Sequence, residues 1–454
     1  MKRMAPPEAP LRSTPALRIP GSGAAANYAL NLVQSLGRPA ALETGPPDCS
    51  PAAAWARSGA MALTGEQDGP ALMAPAPIAT CADGAARALV ALARETTGTA
   101  PADLDGATLL GERAALSEPP LQRAGTTSPG GSARMLPCAD GWLALNLARP
   151  EDVVLVPAWL ESEPTRGDDP WDGIAACLAG RTRDGLIARG REMGMAVAAV
   201  AESRTSRWCE IAWRGEPSRR PTGRPLVVDL SALWAGPLCG QLLAGCGARV
   251  VKVESLERPD GARLGNSAFF QLLNADKESV ALSIGNAHGR DRLAALLARA
   301  DIVIESSRPR ALRQLGLRAE RYVEEHAVTW VSLTGYGRQE PEAGWVAFGD
   351  DAAAAAGLVA GNPDRQPCFC GDAIADPLAG LHAALAALAT WSQGGARLLD
   401  VSLHGVAGHV AQYRAAPGPI QEAPAPPRAR PVSGIAPESG RDTARVLAEF
   451  GIPC

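Results

Sequence analysis

Residues 225–254 read PLVVDLSALWAGPLCGQLLAGCGARVVKVE. Leu226 to Leu230 is a short apolar run rich in valine, bounded by Pro225 and by the Ser231–Gly236 segment. Such a run predicts a buried parallel strand. Gly236-Pro237 then opens a segment with Leu238, Leu242, Leu243 and Cys246 at roughly helical spacing, ended by Gly245 and Gly247. Arg249 to Glu254 reads as a second strand. Strand, turn, helix and strand make the opening βαβ unit of a doubly wound sheet, so the fold class is α/β with a Rossmann-like doubly wound parallel sheet.

A unit of this kind sets a helix N-terminus beside the carboxyl end of a strand, where phosphates bind. Glu254 falls where a dinucleotide fold places its ribose-binding acid. The turn, however, reads Ala235-Gly236-Pro237-Leu238-Cys239-Gly240 and not G-x-G-x-x-G, so the NAD fingerprint fails. The residues alone leave two readings open. One is a nucleotide-type ligand; the other is a Rossmann-like sheet whose glycines serve only close packing.

Composition narrows the class. The chain has 454 residues, 46% hydrophobic and 20% charged, which suits a globular enzyme of two domains or more. Aromatics are 4%, so alanine and valine must fill much of the core. The net charge of −4 gives no sign of nucleic acid or of an anionic membrane surface. No apolar run reaches the 18 or so residues of a membrane span. The basic, proline-broken N-terminus lacks the apolar core of a signal peptide. Ten scattered cysteines without paired spacing fit reduced thiols in a cytoplasmic protein. Cys368 and Cys370 stand too close for a zinc knuckle, and His404 and His409 read as a solvated or satisfied pair; no metal is expected.

Along the chain, residues 1–20 read as disordered. Residues 21–213 form a first half. Within it the Asp140-Gly141 turn between apolar runs marks a hairpin at 134–146, followed by short helices. Residues 214–224, basic and rich in Pro and Gly, read as a linker. The Rossmann-like domain spans 225–414, a proline-rich linker 415–435, and a C-terminal helix lies in 436–454.

Asp229-Leu-Ser-Ala-Leu-Trp-Ala-Gly-Pro237, followed by Gly247-Ala-Arg-Val-Val-Lys-Val-Glu254, resembles the opening of the class III CoA-transferases, the relatives of formyl-CoA and carnitine CoA-transferases. Later blocks match in the same order. Asn274 to Leu282 resembles N-x-x-K-x-S-x-x-L, and Ala300 to Pro309 with Leu315-Gly-Leu317 resembles the family's acid-bearing strand and following Arg-Pro. Val331 to Gly337 resembles its next strand and glycine turn, and residues 134–200 resemble its smaller α/β domain. The resemblance implies an acyl-CoA:carboxylate CoA-transferase acting on acyl-CoA and a carboxylic acid acceptor, with no permanently bound cofactor. It also implies a likeness in assembly to relatives that form homodimers. CoA contacts are then expected at Trp234 and Ala235, at Arg258, at Leu282, Ser283, Ile284 and Gly285, and at Ser306, Ser307 and Arg308. Some family features are absent. Ser255 stands where relatives carry a phosphate-binding Arg, Ala347 falls near a CoA-contacting Lys, and no glycine-rich loop follows His409. Phe348–Gly349 lacks the histidine of the related 2-methylacyl-CoA racemases, which need two acid/base groups. A racemase-like enzyme and a non-catalytic CoA-binding subunit are the competing readings.

Two segments of the chain also align with each other. Pro77 to Leu92 parallels Ala373 to Leu388, and Trp55 to Gly59 parallels Asp351 to Gly357. The first half therefore reads as a degenerate copy that lacks most of the sheet. Thr80 stands in the first copy where Asp376 stands in the second. The resemblance makes Asp376 the nucleophile, forming anhydride and aspartyl-CoA thioester intermediates. The residues themselves fit a helix start equally well, with Asp376 as N-cap and Pro377 at N1, where the helix terminus would keep the carboxylate ionised.

Overall fold

A computed structural model describes residues 15–164, 169–201, 207–218, 223–361, 366–418, 423–432 and 434–453. Its centre is a seven-stranded sheet in the order β6-β14-β11-β10-β7-β8-β9. The strands are β6 (Glu210–Arg214), β7 (Leu226–Asp229), β8 (Arg249–Ser255), β9 (Glu278–Leu282), β10 (Ile302–Glu305), β11 (Thr329–Thr334) and β14 (Arg397–Ser402). All neighbours pair in parallel except β6, which runs antiparallel to β14 at one edge. Strand alternation explains why these runs read as almost wholly apolar. Val227, Val250, Ile302, Ile304, Val331 and Leu399 face one core, and Val228, Val251, Val303, Trp330 and Leu398 face the other.

The first core is covered by α9 (Ala235–Gly245), α10 (Ser267–Asn274), α15 (Ala375–Ser392) and α16 (Leu403–Gln412). The second is covered by α11 (Ala287–Leu297), α13 (Ala319–His326) and the terminal α17 (Thr443–Glu449). The short α12 (Pro309–Gln314) follows β10. Two glycines of the opening unit lie in close packing. A Cβ on Gly236 would stand 2.2 Å from the Ser231 side chain, and one on Gly240 would stand 2.9 Å from Asp229.

The first half begins with a parallel pair, β1 (Leu17–Ser22) and β2 (Ala40–Pro47), joined by α1 (Ala24–Ser35). Then come α2 (Pro51–Arg57), α3 (Ile78–Thr96), α4 (Gly106–Leu109) and α5 (Glu112–Ala115). An antiparallel sheet follows, β3 (Ala133–Cys138), β4 (Gly141–Asn146) and β5 (Ala196–Ala199), with α6 (Pro150–Leu160), α7 (Pro170–Leu178) and α8 (Arg183–Glu192). Their apolar side chains fill one face of that sheet. Its other face meets α14 (Gly349–Ala355) and the two-residue ladder of β12 (Val359–Ala360) and β13 (Cys368–Phe369). α14 thus bridges the small sheet and the large one.

Three expectations change. Leu17 and Ile19 are fully buried in β1, so the order of the chain begins inside the 1–20 segment read as disordered; residues 1–14 lie outside the described residues. Apolar alternation across a six-residue strand was hidden there by the prolines around it. Arg214, placed at the start of a linker, closes β6 opposite Arg397, and residues 219–222 of that linker lie outside the described residues. The C-terminal helix occupies only Thr443–Glu449 of 436–454.

The two βαβ units share one geometry. Leu17 pairs with Ala40 as Val227 pairs with Val250. Gly37 and Gly247 both close their helices in the left-handed region, at φ 75° and 89°. A Cβ on Gly84 of α3 would stand 2.6 Å from Ala25 O and 3.0 Å from Tyr28 Cβ; one on Gly380 of α15 would stand 2.5 Å from Ala235 O and 3.1 Å from Leu238 Cβ. α3 therefore lies on α1 as α15 lies on α9. Gly380→Ala and Gly84→Ala must each push two helices apart at a backbone oxygen. Each should lower the unfolding free energy by about 1–3 kcal/mol, read as a shift in urea midpoint. A neutral result for either would show that its close approach is not fixed by the missing side chain.

Candidate active site

Asp376 owes its place to a tight turn. After β13 the chain runs through Cys370, Gly371, Asp372 and Ala373. Gly371 (φ 67°) and Ala373 (φ 43°) both lie in the left-handed region. The Asp376 N–H donates to Ala373 O at 2.9 Å, and the Ala373 N–H donates to Asp350 Oδ1 at 2.8 Å. From the first half, Thr64 Oγ1 accepts the Gly371 N–H at 2.9 Å, and Arg113 Nε donates to Asp372 Oδ2 at 2.7 Å.

α15 starts at Ala375 with Ile374 as N-cap, so Asp376 is its second residue and not the N-cap expected from Asp-Pro. Because Ala373 O satisfies its backbone N–H, the carboxylate is free to face other elements. It accepts the N–H of Gly349 and of Ala235, the first residues of α14 and α9. Three helix starts meet at one carboxylate, each bringing unsatisfied N–H groups and the positive end of its dipole. Gly349 permits this approach, since a Cβ there would stand 2.3 Å from Asp376 Oδ2.

Charge is concentrated here. Asp350, Asp351 and Asp372 are buried, whereas Asp376 is only partly buried and is the reachable carboxyl of the four. Burial pushes the Asp376 carboxyl up to about 7, against the pull of Arg113 and the two N–H groups. This corrects the expectation that the helix terminus alone would hold it ionised: desolvation is the larger effect. Burial raises Asp350 to about 7, with the Asp372 charge adding to it, and raises Asp351 to about 8.

A function that needs the Asp376 carboxylate should therefore gain rate as pH rises through about 7, measured as initial velocity against pH. Stability follows the opposite sign. The folded value lies above the ordinary 3.8, so the contribution is full below that value and is lost as pH rises through about 7.

The expected CoA contacts line the carboxyl edge of the large sheet. Trp234 is buried at the N-cap of α9, edge-on to Phe269 at 5.0 Å, and its Nε1 has no hydrogen-bond partner among the described residues. Ala235 touches Asp376 directly. Leu282 is buried at the end of β9; beyond it Ser283 and Gly285 hydrogen-bond the Glu257 carboxylate, and the partly buried Ile284 packs on the second core. Ser306 Oγ accepts the Ala232 N–H at 3.1 Å, and Ser307 Oγ donates to Glu305 Oε2 at 3.0 Å. Arg258 and Arg308 are exposed, and Arg308 lies within Coulomb range of Arg258, Arg149 and Arg310. A cleft of about 680 Å³ opens beside Arg308 and Arg310, with Arg183, Arg191 and Trp345 on its other walls; it does not reach Asp376. Glu254 is no ribose ligand: Arg263 and the Asp260 N–H occupy its carboxylate.

Sequence reasoning missed Arg113, Asp350 and Gly349. The Gly349-Asp350-Asp351 run at a helix start was a usable signal. Arg113 gave none, because it reaches Asp372 from far away in the chain.

Residues 225–437 match the model of CoA-transferase family III. It is similar to the succinyl-CoA–D-citramalate CoA-transferase of Chloroflexus aurantiacus, with 33% identity over 41% of this chain and 51% of that one. The succinate–glutarate CoA-transferase of Agrobacterium fabrum is 30% identical over 37% of this chain and 46% of its own length. The formyl-CoA:oxalate CoA-transferase of Escherichia coli is 29% identical over 36% and 42%. A CaiB/BaiF family protein of Brucella suis, among solved structures, aligns over 43% of this chain and 56% of its own with 28% identity and a TM-score of 0.39. The chain spans about half the length of the curated relatives it matches. Among the described residues, no helix is long and apolar enough to cross a membrane.

Proposed function

We propose that the chain is an acyl-CoA:carboxylate CoA-transferase with Asp376 as its nucleophile. The observation that carries this reading is the partly accessible Asp376 carboxylate at the meeting of three helix starts. The Asp376 oxygen attacks the thioester carbonyl, the C–S bond breaks, and CoA thiolate leaves a mixed anhydride. The thiolate then attacks the Asp376 carbonyl, releasing the donor acid and leaving an aspartyl-CoA thioester. The acceptor carboxylate repeats the sequence in reverse and departs as acyl-CoA. No proton is consumed overall. The Ala235 and Gly349 N–H groups, which donate to the Asp376 carboxylate, would stabilise the negative charge that develops on its oxygen when the thiolate attacks. Arg258, Arg308, Arg310 and Arg149 suit the phosphates of CoA.

The first half supplies no second site in this reading. Thr80 replaces the nucleophile, and its buried Oγ1 has no hydrogen-bond partner among the described residues. The start of α1 is already occupied by the chain's own anion, since the Ala26 N–H donates to Asp48 Oδ2 at 3.0 Å. The homodimer implied by the resemblance belongs to the same proposal, with light scattering as its test. The residues named around Asp376 come from both halves of one chain.

The test is intact-protein mass spectrometry after mixing with a panel of acyl-CoAs, followed by peptide mapping. A CoA or acyl adduct on Asp376 supports the reading, and no adduct with any donor refutes it in favour of a non-catalytic CoA-binding role. A racemase-like reading needs a second proton carrier where the histidine is missing, and the neighbouring acid there, Asp350, is buried with its Oδ1 accepting the Ala373 N–H. Deuterium uptake at the carbon next to the thioester, without an adduct, would select it.

A further inference from the structure

We propose that Arg113, carried by the half of the chain without a nucleophile, is the positioning residue of Asp376. The proposal rests on the transferase reading above.

Arg113 is itself held firmly. Its neighbour Glu112 is fully buried and pairs with Arg430, whose Nη2 reaches Oε2 at 3.0 Å. Arg430 Nη1 donates to Gln241 Oε1 on α9 at 2.6 Å, so the four-residue α5 is tied to the helix whose first N–H touches Asp376. From there the guanidinium grips Asp372 with two donors, Nε at 2.7 Å to Oδ2 and Nη2 to Oδ1. It lies 5.4 Å from the Trp234 ring centroid, over the residue that precedes Ala235. A Cβ on Gly130 would stand 2.9 Å from Arg113 Nη2, so that glycine leaves room for the guanidinium.

Arg113 therefore fixes both flanks of the nucleophile: the turn that carries it and the helix start that hydrogen-bonds it. Thr64 adds a second hold from the first half through the Gly371 N–H. Three carboxyls lie close together here, Asp350 from α14, Asp372 from the turn and Asp376 from α15, while Asp351 of α14 turns to the Phe348 N–H and Asn146 and is within Coulomb range of Asp350. Arg113 is within Coulomb range of Asp350, Asp372 and Asp376, and Arg149 is within Coulomb range of Asp351. A purely structural clamp would need the bidentate grip on Asp372 but not the charge.

The full-length wild type, Arg113→Ala and Arg113→Lys are compared by the rate of adduct formation on Asp376 across about pH 5.5 to 9. Arg113→Ala should move the midpoint of the rate rise upward by about one pH unit or more. It should cut the neutral-pH rate about 10-fold or more, with convergence toward wild type at high pH. Arg113→Lys should recover part of the shift. An unmoved midpoint with a rate lowered equally at every pH would overturn the proposal.

Urea stability against pH gives a readout independent of turnover. Without the guanidinium, the folded carboxyls hold protons to higher pH than the unfolded ones. Stability of Arg113→Ala should then fall more steeply than wild type as pH rises between about 5 and 8; an identical slope refutes the charge role. If the wild type forms no adduct, the transferase reading fails, and this slope alone decides the role of Arg113.

Discussion

Asp376→Asn should lower kcat by about 10³-fold or more and abolish the covalent adduct, while Thr80→Ala should leave kcat within a few-fold of wild type. The asparagine keeps the volume and an oxygen that can accept the Ala235 and Gly349 N–H groups. It removes the charge that, in the proposed reaction, attacks the thioester. The loss is therefore one of chemistry and not of folding, which a urea midpoint no lower than that of wild type would confirm. Thr80 sits at the matching step of α3, buried against apolar neighbours. Its hydroxyl is un-ionised at neutral pH, and the nearest acid along the helix, Asp83, is already engaged by Arg57 and the Ala107 N–H. Loss of turnover in a folded Thr80→Ala protein, with Asp376→Asn active, would refute both the nucleophile and the reading of the first half.

Lys277→Met should destabilise the fold by about 3–5 kcal/mol, the range for breaking a buried pair on one side. Lys277 Nζ lies 2.8 Å from Asp229 Oδ2, and both side chains are wholly inaccessible. Burial disfavours the ionised Asp229, yet Lys277 and Lys252 hold its carboxyl below the ordinary range. Lys277 also donates to Pro237 O at 2.8 Å, locking the first turn of α9 onto the end of β7. Removing the ammonium leaves an unpaired carboxylate in the core. Replacing both partners together, with Asp229→Leu and Lys277→Met, should recover much of the loss. A single-variant loss under about 1 kcal/mol in urea unfolding would show that the pair does not anchor this turn.

These expectations separate what was readable in the chain from what was not. The βαβ unit at 225–254, the order of later strands and the hairpin at Asp140-Gly141 were legible. Each is written in local periodicity, with a turn residue of restricted geometry at its end. The match of Thr80 with Asp376 was legible as well, and the shared close contacts of Gly84 and Gly380 give it a geometric counterpart. The Asp-Pro pair was misread as a cap, because the left-handed Ala373 that starts α15 two residues earlier has no signature in an alanine.

By itself, the sequence determined the parallel sheet, its two apolar faces and the presence of an acid at the start of a helix. Alternation and helical spacing are properties of neighbouring residues, and they hold whatever the rest of the chain does. The tertiary structure decided what that acid can do. The convergence of Ala235, Gly349 and Asp376, the burial that lifts the carboxyl to about 7, and the reach of Arg113 from the first half all depend on residues distant in the chain. Solvent exclusion and charge proximity exist only once those residues are packed together.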